Sequence, residues 1–344
     1  MLAPRALPSE RLDTQNDAPV SGPALSVAVT GATGFIGRHL VAELIARGIA
    51  VRAIVRPEST NELPVGAAVV RAPLEPGALR DAFDGAGAVV HLAGVINTLD
   101  EAAYAAANVE GTRAVAAAAA RAGARLVHIS SLAAAGPAPA SAPRSESDTP
   151  GPQTPYGRSK LDGERLVAAT SELRWTILRP GVVHGPGDRA LLPMFKLARL
   201  GVLPLVGRRD AAYMFVHVHD VVRAITAALE TPRDGEVMFV AHPRPVTARE
   251  VVETIRQAVG RTAVVIPIPQ PLTHLAAVAC ELIAHALGTP LPLNRARYVE
   301  LSAEGFVCRV DRLRERLGVV AAIDLREGFA QTAAWYRQQG WIRP

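Results

Sequence analysis

The chain has 344 residues, 49% hydrophobic and 20% charged, with a formal charge of +5. That balance excludes a disordered chain and gives enough length to bury one large core or two modest ones. The arginines are spread along the chain and only 4% of residues are aromatic, so the surplus charge forms no basic stripe with stacking rings, and a nucleic-acid partner is excluded.

In chain order, Met1 to Ser26 is rich in Pro, Ser and polar residues and lacks the charged-then-apolar order of a secretory signal, so residues 1–24 read as a flexible leader. Leu25 to Thr30 reads as a strand and Phe35 to Arg47 as the helix after it. Strands follow at Ala50 to Val55, Ala68 to Arg71 and Ala88 to Leu92, then a long helix over Glu101 to Ala122 and a strand at Arg125 to Ser130. After a Pro/Ser-rich loop (Pro137 to Pro155), a helix runs from Tyr156 to Ala169 and a sixth strand from Trp175 to Arg179. β-Branched runs alternating with Ala-rich helices build a parallel sheet covered on both faces. Right-handed crossovers then align the strand C-terminal ends along one edge, where ligands bind. From Gly181 onward Pro and Gly interrupt the pattern, and three helices can be read, at Asp220 to Glu230, Ala248 to Val259 and Pro271 to Leu287. The expected fold is α/β: a Rossmann-type doubly wound parallel sheet over residues 25–180, with a smaller, mixed α/β substrate-binding lobe over 181–344, some of whose elements return to the core.

No apolar run approaches the roughly 18 residues of a membrane span. The nearest, Leu275 to Leu287, is interrupted by Glu281 and His285. It reads as a buried or pocket-covering helix, with contact at a membrane surface as the alternative and no stable insertion expected. Cys280 and Cys308 give neither a disulfide framework nor metal spacing, which suits a reducing cytoplasm and no metal site.

The chemistry begins at Val27-Ala28-Val29-Thr30-Gly31-Ala32-Thr33-Gly34-Phe35-Ile36-Gly37, a strand, a glycine turn and a helix start. Gly31 permits the tight turn, Gly34 lets backbone approach a diphosphate, and Gly37 allows close helix–strand packing. The N–H groups of the helix start, around Thr33, Phe35 and Ile36, attract the anion. This context makes the glycines a dinucleotide site. Farther on, Tyr156-Gly157-Arg158-Ser159-Lys160 places a tyrosine and a lysine four residues apart, on one helix face. A phenol near pKa 10 is a weak base at neutral pH, and a neighbouring ammonium favours its phenolate. The bland alternative is a tyrosine stem packed by a lysine on a surface helix.

The Gly-x-x-Gly-x-x-Gly spacing with Thr30 before it resembles the fingerprint of the short-chain dehydrogenase/reductase superfamily, and the Gly34-Phe35-Ile36-Gly37 form resembles its extended branch. The resemblance runs from about Leu25 to Ile342, through His91-Leu92-Ala93-Gly94, Asn108-Val109-Glu110-Gly111-Thr112, Ser130-Ser131, the Tyr-x-x-x-Lys pair and Arg179-Pro180-Gly181. It implies that Leu92, Ala93 and Gly94 line the nicotinamide ribose and that Pro180 and Val182 border the cofactor. It further implies that Tyr156 moves the proton, that Lys160 holds ribose hydroxyls, that Ser131 polarises the reacting oxygen and that Asn108 completes the catalytic set. Ser131 is chosen over Ser130 because family members place the active hydroxyl five residues before the glycine matching Gly136; the other serine then turns into the core. A homodimer through the helices that include Glu101 to Ala122 and Tyr156 to Ala169 is also implied.

Strand two ends Ile54-Val55-Arg56-Pro57, without the acid that accepts from an adenosine 2′-hydroxyl. Arg56 resembles the arginine that reads a 2′-phosphate in NADPH-using reductases, so NADP is the expected cofactor and NAD the alternative. The bland reading is a solvated loop arginine. Where the family often carries Gly-Asp-Leu the chain has Ala72-Pro73-Leu74, leaving adenine to backbone and apolar packing. Tyr213 stands where sugar-nucleotide enzymes carry an arginine, and a second arginine before Phe306 is missing, so a diphosphate substrate loses its donors. The candidate pocket wall (Ile96, Val182, Val183, Leu191, Leu192, Met194, Phe195, Tyr213, Leu275 and Leu282) is largely apolar, with about half of it expected in the core. His184, His217 and His219 read as satisfied structural histidines, and Asp188 and Asp220 as residues that fix loops and a helix start. The first expectation is a reductase/dehydrogenase acting with NADP(H) on a hydrophobic ketone or secondary alcohol. Its rivals are a nucleotide-sugar epimerase or dehydratase and a catalytically silent dinucleotide-binding scaffold.

Overall fold

The structure, a computed structural model, describes residues 25–343 apart from Pro232 and Arg261. The leader expected over residues 1–24 lies outside the described residues. β1 (Ser26–Thr30) buries Val27 to Thr30 in succession, as a strand covered on both faces must, and leads through the glycine turn into α1 (Phe35–Ala46). β2 (Ala50–Val55), β3 (Ala68–Arg71), α2 (Pro76–Phe83) and β4 (Ala88–His91) follow. Next come α3 (Glu101–Tyr104), a π-helical segment at Ala105–Glu110 and α4 (Gly111–Arg121), end to end. β5 (Arg125–Ile129), α5 (Leu132–Ala135), α6 (Pro155–Ala169) and β6 (Trp175–Pro180) complete this stretch.

The rest of the chain begins with β7 (Val182–His184), α7 (Leu192–Arg199), β8 (Val202–Leu205), β9 (Ala212–Tyr213) and β10 (Phe215–His217). α8 (Val218–Glu230), β11 (Glu236–Val240), β12 (Val246–Thr247), α9 (Ala248–Val259) and β13 (Val264–Pro267) follow. The chain closes with α10 (Gln270–Leu287), α11 (Arg295–Ser302), β14 (Gly305–Phe306), α12 (Asp311–Leu317) and α13 (Leu325–Gln338).

The main sheet has seven parallel strands in the order β11-β6-β5-β4-β1-β2-β3. The chain moves outward from β1 to β3 and then crosses back to β4, so the switch in strand order falls between β1 and β4, beside the glycine turn. The Rossmann-type doubly wound fold read from the sequence is therefore present. One apolar layer lies between the sheet and α1, α8 and α12; the other lies beneath α2, α4 and α6. A third cluster, built on Phe195, Phe215, Phe329 and Tyr336, joins α7, α9 and α13 in the lobe.

Two expectations change. The helix expected as one α-helix over Glu101 to Ala122 contains the π segment, because the chain widens there around Asn108. Past Gly181, helices α7, α11, α12 and α13 accompany the three that were read; short or weakly apolar stretches such as Arg295–Ser302, which buries no residue, carry little periodic signal. Asp220 accepts from the N–H groups of Ala322 and Ile323, both at 3.0 Å, and so fixes the loop before α13. Asp188 accepts from Ala190 N at 2.7 Å, and its backbone carbonyl accepts from the Tyr336 hydroxyl at 2.7 Å.

Phe329 is fully buried against Phe195, Phe215 and His184, so Phe329→Ala should destabilise the protein by about 3–5 kcal/mol. Urea unfolding checks this: the midpoint falls, and an unchanged midpoint would mean that the lobe cluster does not contribute to global stability.

Candidate active site

Gly31 adopts φ +70°, and a Cβ there would lie 2.6 Å from Ala93 N, so the turn requires glycine for both its dihedral and its approach to the β4 loop. A Cβ on Gly37 would lie 2.2 Å from Gly31 O, which enforces glycine where α1 meets the turn. Gly34 is the N-cap of α1 and supplies no side-chain cap, while its own N–H donates to Gly31 O at 2.9 Å. The first-turn N–H groups, including those of Phe35 and Ile36, are thus left for an anion. This uncapped helix start beside a backbone-lined turn fits a dinucleotide diphosphate. Thr33 contributes a carbonyl that accepts from Arg38 Nε at 3.1 Å. Leu74 packs against Gly111, Pro180 is buried in β6, and Val182 is partly exposed. Arg56 stands in solvent just past β2, its Nε 3.5 Å from Glu58.

Leu92, Ala93 and Gly94 continue β4 toward the π segment. Asn108 Oδ1 accepts from Val95 N at 2.8 Å, and its Nδ2 donates to Val95 O and to Ser159 Oγ, both at 2.9 Å. Its side chain is fully engaged, which makes Asn108 a positioning residue that ties the β4 loop to α6.

Thr154 caps α6 through Gly157 N at 3.1 Å and thereby sets Tyr156 and Lys160 on the first turns. Lys160 is buried, and its Nζ donates to Ile129 O at 2.8 Å. Burial pushes its pKa down to about 8, opposed by the Glu164 carboxylate. Burial likewise pushes the Tyr156 phenol up to about 12; a hydrogen bond with Ser131 opposes this, and Glu300 and Tyr104 add to it. The lowering that spacing predicts from Lys160 is not found: its Nζ turns to Ile129 O, the groups that shift the phenol are Ser131, Glu300, Tyr104 and Arg297, and desolvation prevails. Ser131 caps α5 by accepting from Ala133 N at 3.2 Å and bonds Tyr156. Ser130 turns inward and donates to Glu164, whose carboxylate also holds Arg179 in a buried fork at 2.9 and 2.6 Å.

Several residues at the site escaped the sequence reading. The Tyr104 ring lies 6.3 Å from that of Tyr156, and its hydroxyl donates to Ile96 O at 3.1 Å. From α11, Arg297 pairs with Glu300 at 2.9 Å, and both bear electrostatically on Tyr156 and Tyr213. Asn294 donates to Asn97 at 3.1 Å, and Asn97 donates to Leu291 O at 3.1 Å, so the start of α11 is tied to the β4 loop. Nothing near Tyr156 in sequence signals these partners.

The expected apolar wall divides. Phe195 is core, Leu191, Leu192, Met194 and Tyr213 pack against that core, and Val183 packs on the main-sheet layer. Ile96, Leu275 and Leu282 are exposed and line no closed wall. The Tyr213 hydroxyl is buried without a hydrogen-bond partner. His184, expected to be satisfied, also has an unpartnered Nδ1; packing against Phe215, Phe329 and His217 instead holds it neutral, its pKa lowered to about 3. His217 caps α8 through His219 N at 3.3 Å but leaves its Nε2 unpartnered.

Residues 27–241 match the sequence profile of the NAD dependent epimerase/dehydratase family. The chain is 32% identical to the ceramide reductase of Caulobacter vibrioides over 92% of its own length and 96% of that protein. It is 30% identical to sterol demethylase protein B of Methylococcus capsulatus over 92% of its own length and 100% of that protein. Among solved structures, MoeE5 in complex with UDP-glucuronic acid and NAD superposes with a TM-score of 0.74 at 28% identity, over 91% of this chain and 99% of that one.

The buried phenol gives a direct measurement. In ultraviolet titration, the difference between the protein and its Tyr156→Phe variant should show no phenolate until the pH approaches about 12. A midpoint near the ordinary tyrosine value of about 10 would contradict the dominance of burial.

Proposed function

The chain belongs to the NAD-dependent epimerase/dehydratase family and is an oxidoreductase or epimerase of the short-chain dehydrogenase/reductase type; from that premise we propose that it is an NADPH-dependent reductase of a hydrophobic ketone. The observation that carries this reading is the Tyr156 phenol hydrogen-bonded to Ser131, with Lys160 four residues on along α6, at the end of the glycine cradle. A protonated phenol is the acid that a carbonyl needs as it becomes an alcohol.

The bound dinucleotide would lie with its diphosphate on the α1 start and would supply hydride to the carbonyl carbon. Ser131 orients and polarises the carbonyl oxygen, and Tyr156 Oη donates its proton to that oxygen. Burial makes the resulting phenolate a strong base, so it promptly recovers a proton. Lys160, fixed on Ile129 O, would hold the nicotinamide ribose with its ammonium. Arg56, exposed past β2 with its Nε 3.5 Å from Glu58, would read a 2′-phosphate. Two relatives, a ceramide reductase and a sterol demethylase protein, support a lipid-like substrate. The orphan hydroxyl of Tyr213, packed on the apolar lobe cluster, suits one polar group on such a molecule.

The second reading, epimerisation of a nucleotide sugar, is favoured by the likeness to MoeE5. Against it stand Tyr213 in place of a diphosphate-gripping arginine, and Arg297, which is already engaged by Glu300.

NADPH absorbance with a panel of apolar ketones separates the two readings. Stoichiometric NADPH consumption is expected; an isomerised product without net oxidation would sink the reductase. Tyr156→Phe should lower kcat by about 10²–10⁴-fold while sparing NADPH binding. Arg56→Ala should weaken NADPH by roughly tenfold and leave NADH unchanged, since only the former carries the 2′-phosphate. Because Lys160 loses its proton as pH rises through about 8, dinucleotide affinity should fall above that value, and Lys160→Met should abolish the dependence. A flat profile in the parent protein would remove Lys160 from the binding site.

A further inference from the structure

His91 ends β4 directly opposite Thr30 of β1, at the switch in strand order, and both side chains are fully buried. Thr30 Oγ1 lies 2.7 Å from His91 Nδ1, and Thr112 Oγ1 lies 3.0 Å from His91 Nε2. Thr112 Oγ1 donates onward to Asn108 O at 2.8 Å. The protons along this chain admit one arrangement. A threonine hydroxyl has a single hydrogen, and that of Thr112 is committed to Asn108 O. Its oxygen therefore meets His91 as an acceptor, and His91 Nε2 carries the hydrogen. Burial, with the Lys160 charge adding, pushes the imidazole down to about 3, so it is neutral and Nδ1 keeps its lone pair. Thr30 Oγ1 then donates to Nδ1, and its own lone pairs receive the Ala93 N–H at 3.4 Å.

The two ends of the chain meet. Asn108 holds both backbone groups of Val95, at 2.8 and 2.9 Å, and Val95 is two residues past Ala93. The bonds close into a ring: Ala93 to Thr30, His91, Thr112, Asn108 and Val95, then back along the chain through Gly94. The short loop from Ala93 to Val95 is thus gripped at both ends, with little slack. A Cβ on Gly31 would lie 2.6 Å from Ala93 N, and one on Gly94 would lie 2.8 Å from Asn108 Oδ1. His128 supplies a contrast. It is equally buried and lies 5.2 Å from His91 ring to ring, yet neither of its nitrogens has a partner, so it shares the packing without joining the ring.

We propose that His91, as the Nε2–H tautomer, is a positioning residue: by closing this ring it fixes the Ala93–Val95 loop against the glycine turn, so that dinucleotide affinity depends on a side chain buried behind the site. This rests on the reading of the glycine turn as the dinucleotide site. A buried network of this kind acts as a unit, because each member is satisfied by the next.

The test has two parts, both on the full chain. In long-range proton–nitrogen correlation spectra of isotope-labelled histidines at neutral pH, His91 is the residue missing from H91N. It should show a protonated Nε2 and a bare Nδ1. NADPH binding is then followed by the fluorescence of the bound nicotinamide. H91L should weaken it by about tenfold, and T30V and T112V by roughly threefold or more each. T30V/T112V should lose no more than the worse of the two, since a ring already broken holds nothing at its second break. H128L should lower the thermal midpoint while keeping an affinity close to the parent's. A protonated Nδ1 overturns the proposal, as do losses in T30V and T112V that multiply. An H128L loss equal to that of H91L also overturns it, by making burial the cause. T30V and T112V keep the test decisive should H91L fail to fold. A parent that binds NADH and not NADPH would defeat the reading of Arg56 alone, and the variants are then compared with NADH. A parent that binds neither would defeat the dinucleotide site and the positioning role together.

Discussion

The side chain of Asn108 is the tie on which the geometry of the site depends. It bonds both backbone groups of Val95 and the hydroxyl of Ser159, while its own carbonyl accepts from Thr112 Oγ1 at 2.8 Å. These partners come from the loop after β4, from α6 and from the helix itself, so one buried amide sets the distance between the β4 loop and the helix that carries Tyr156. Such proximity leaves no room for side chains on either flank. A Cβ on Gly94 would lie 2.8 Å from Asn108 Oδ1, and one on Gly163 would lie 2.7 Å from Asn108 O. The π segment is where the helix accommodates this wedge. Each partner left unpaired in the interior would cost about 1–3 kcal/mol, more than an ordinary surface bond contributes.

Behind that tie the interior is organised to keep one cation in place. His91 accepts from or donates to the Thr30 and Thr112 hydroxyls at 2.7 and 3.0 Å; burial, with the Lys160 charge adding, lowers its pKa to about 3. His128, stacked 5.2 Å from it, is lowered for the same reasons. Neutral imidazoles spare Lys160 the repulsion of two further cations, so desolvation is left as the main force on its ammonium. Glu164 resolves the choice between the two serines: its carboxylate is bound by Arg179 and Ser130, which leaves Ser131 as the hydroxyl at Tyr156. Removing either partner of the Glu164–Arg179 pair would strand a buried charge at a cost of about 3–5 kcal/mol, so the pair is a rigid footing for the end of β6.

The parts legible in the sequence were those fixed by local rules. Fully apolar runs such as Val27 to Val29 required strands covered on both faces, and the position of Gly31 and Gly37 between strand and helix required close backbone packing. Those rules gave the sheet, the crossovers and the helix carrying Tyr156 to within about a residue at most boundaries. What the sequence did not disclose depends on burial and on distant pairing. Spacing put Lys160 beneath Tyr156 and predicted a lowered phenol, but the Lys160 ammonium turns to Ile129 O, and desolvation of the half-buried tyrosine raises it instead. Leu275 and Leu282 read as pocket lining because apolar residues on a late helix usually face inward; the structure turns them outward, since the inward side of α10 is made from Thr273, Ala277 and Ala284. Glu300 and Arg297 reach Tyr156 from more than a hundred residues away, where no local pattern can point.

The two sides of the site are held by different forces. On the dinucleotide side, Gly31, Asn108, Lys160 and Glu164 are locked by backbone contact, buried hydrogen bonds and a buried ion pair. On the facing side, α11 contributes no buried residue and is held through Asn97, Asn294 and Thr154, through the Arg295–Glu281 pair to α10, and by Arg208 N, which donates to Leu301 O at 3.2 Å; the bonds to Asn97 are exposed. Exposed bonds of that kind contribute about 0.5–1.5 kcal/mol each, because water can replace either partner. The dinucleotide side is therefore held by buried groups, and the facing side by contacts that water can replace. Gripping a diphosphate would demand the opposite distribution, with fixed cations on the facing side; α11 instead spends Arg297 on Glu300.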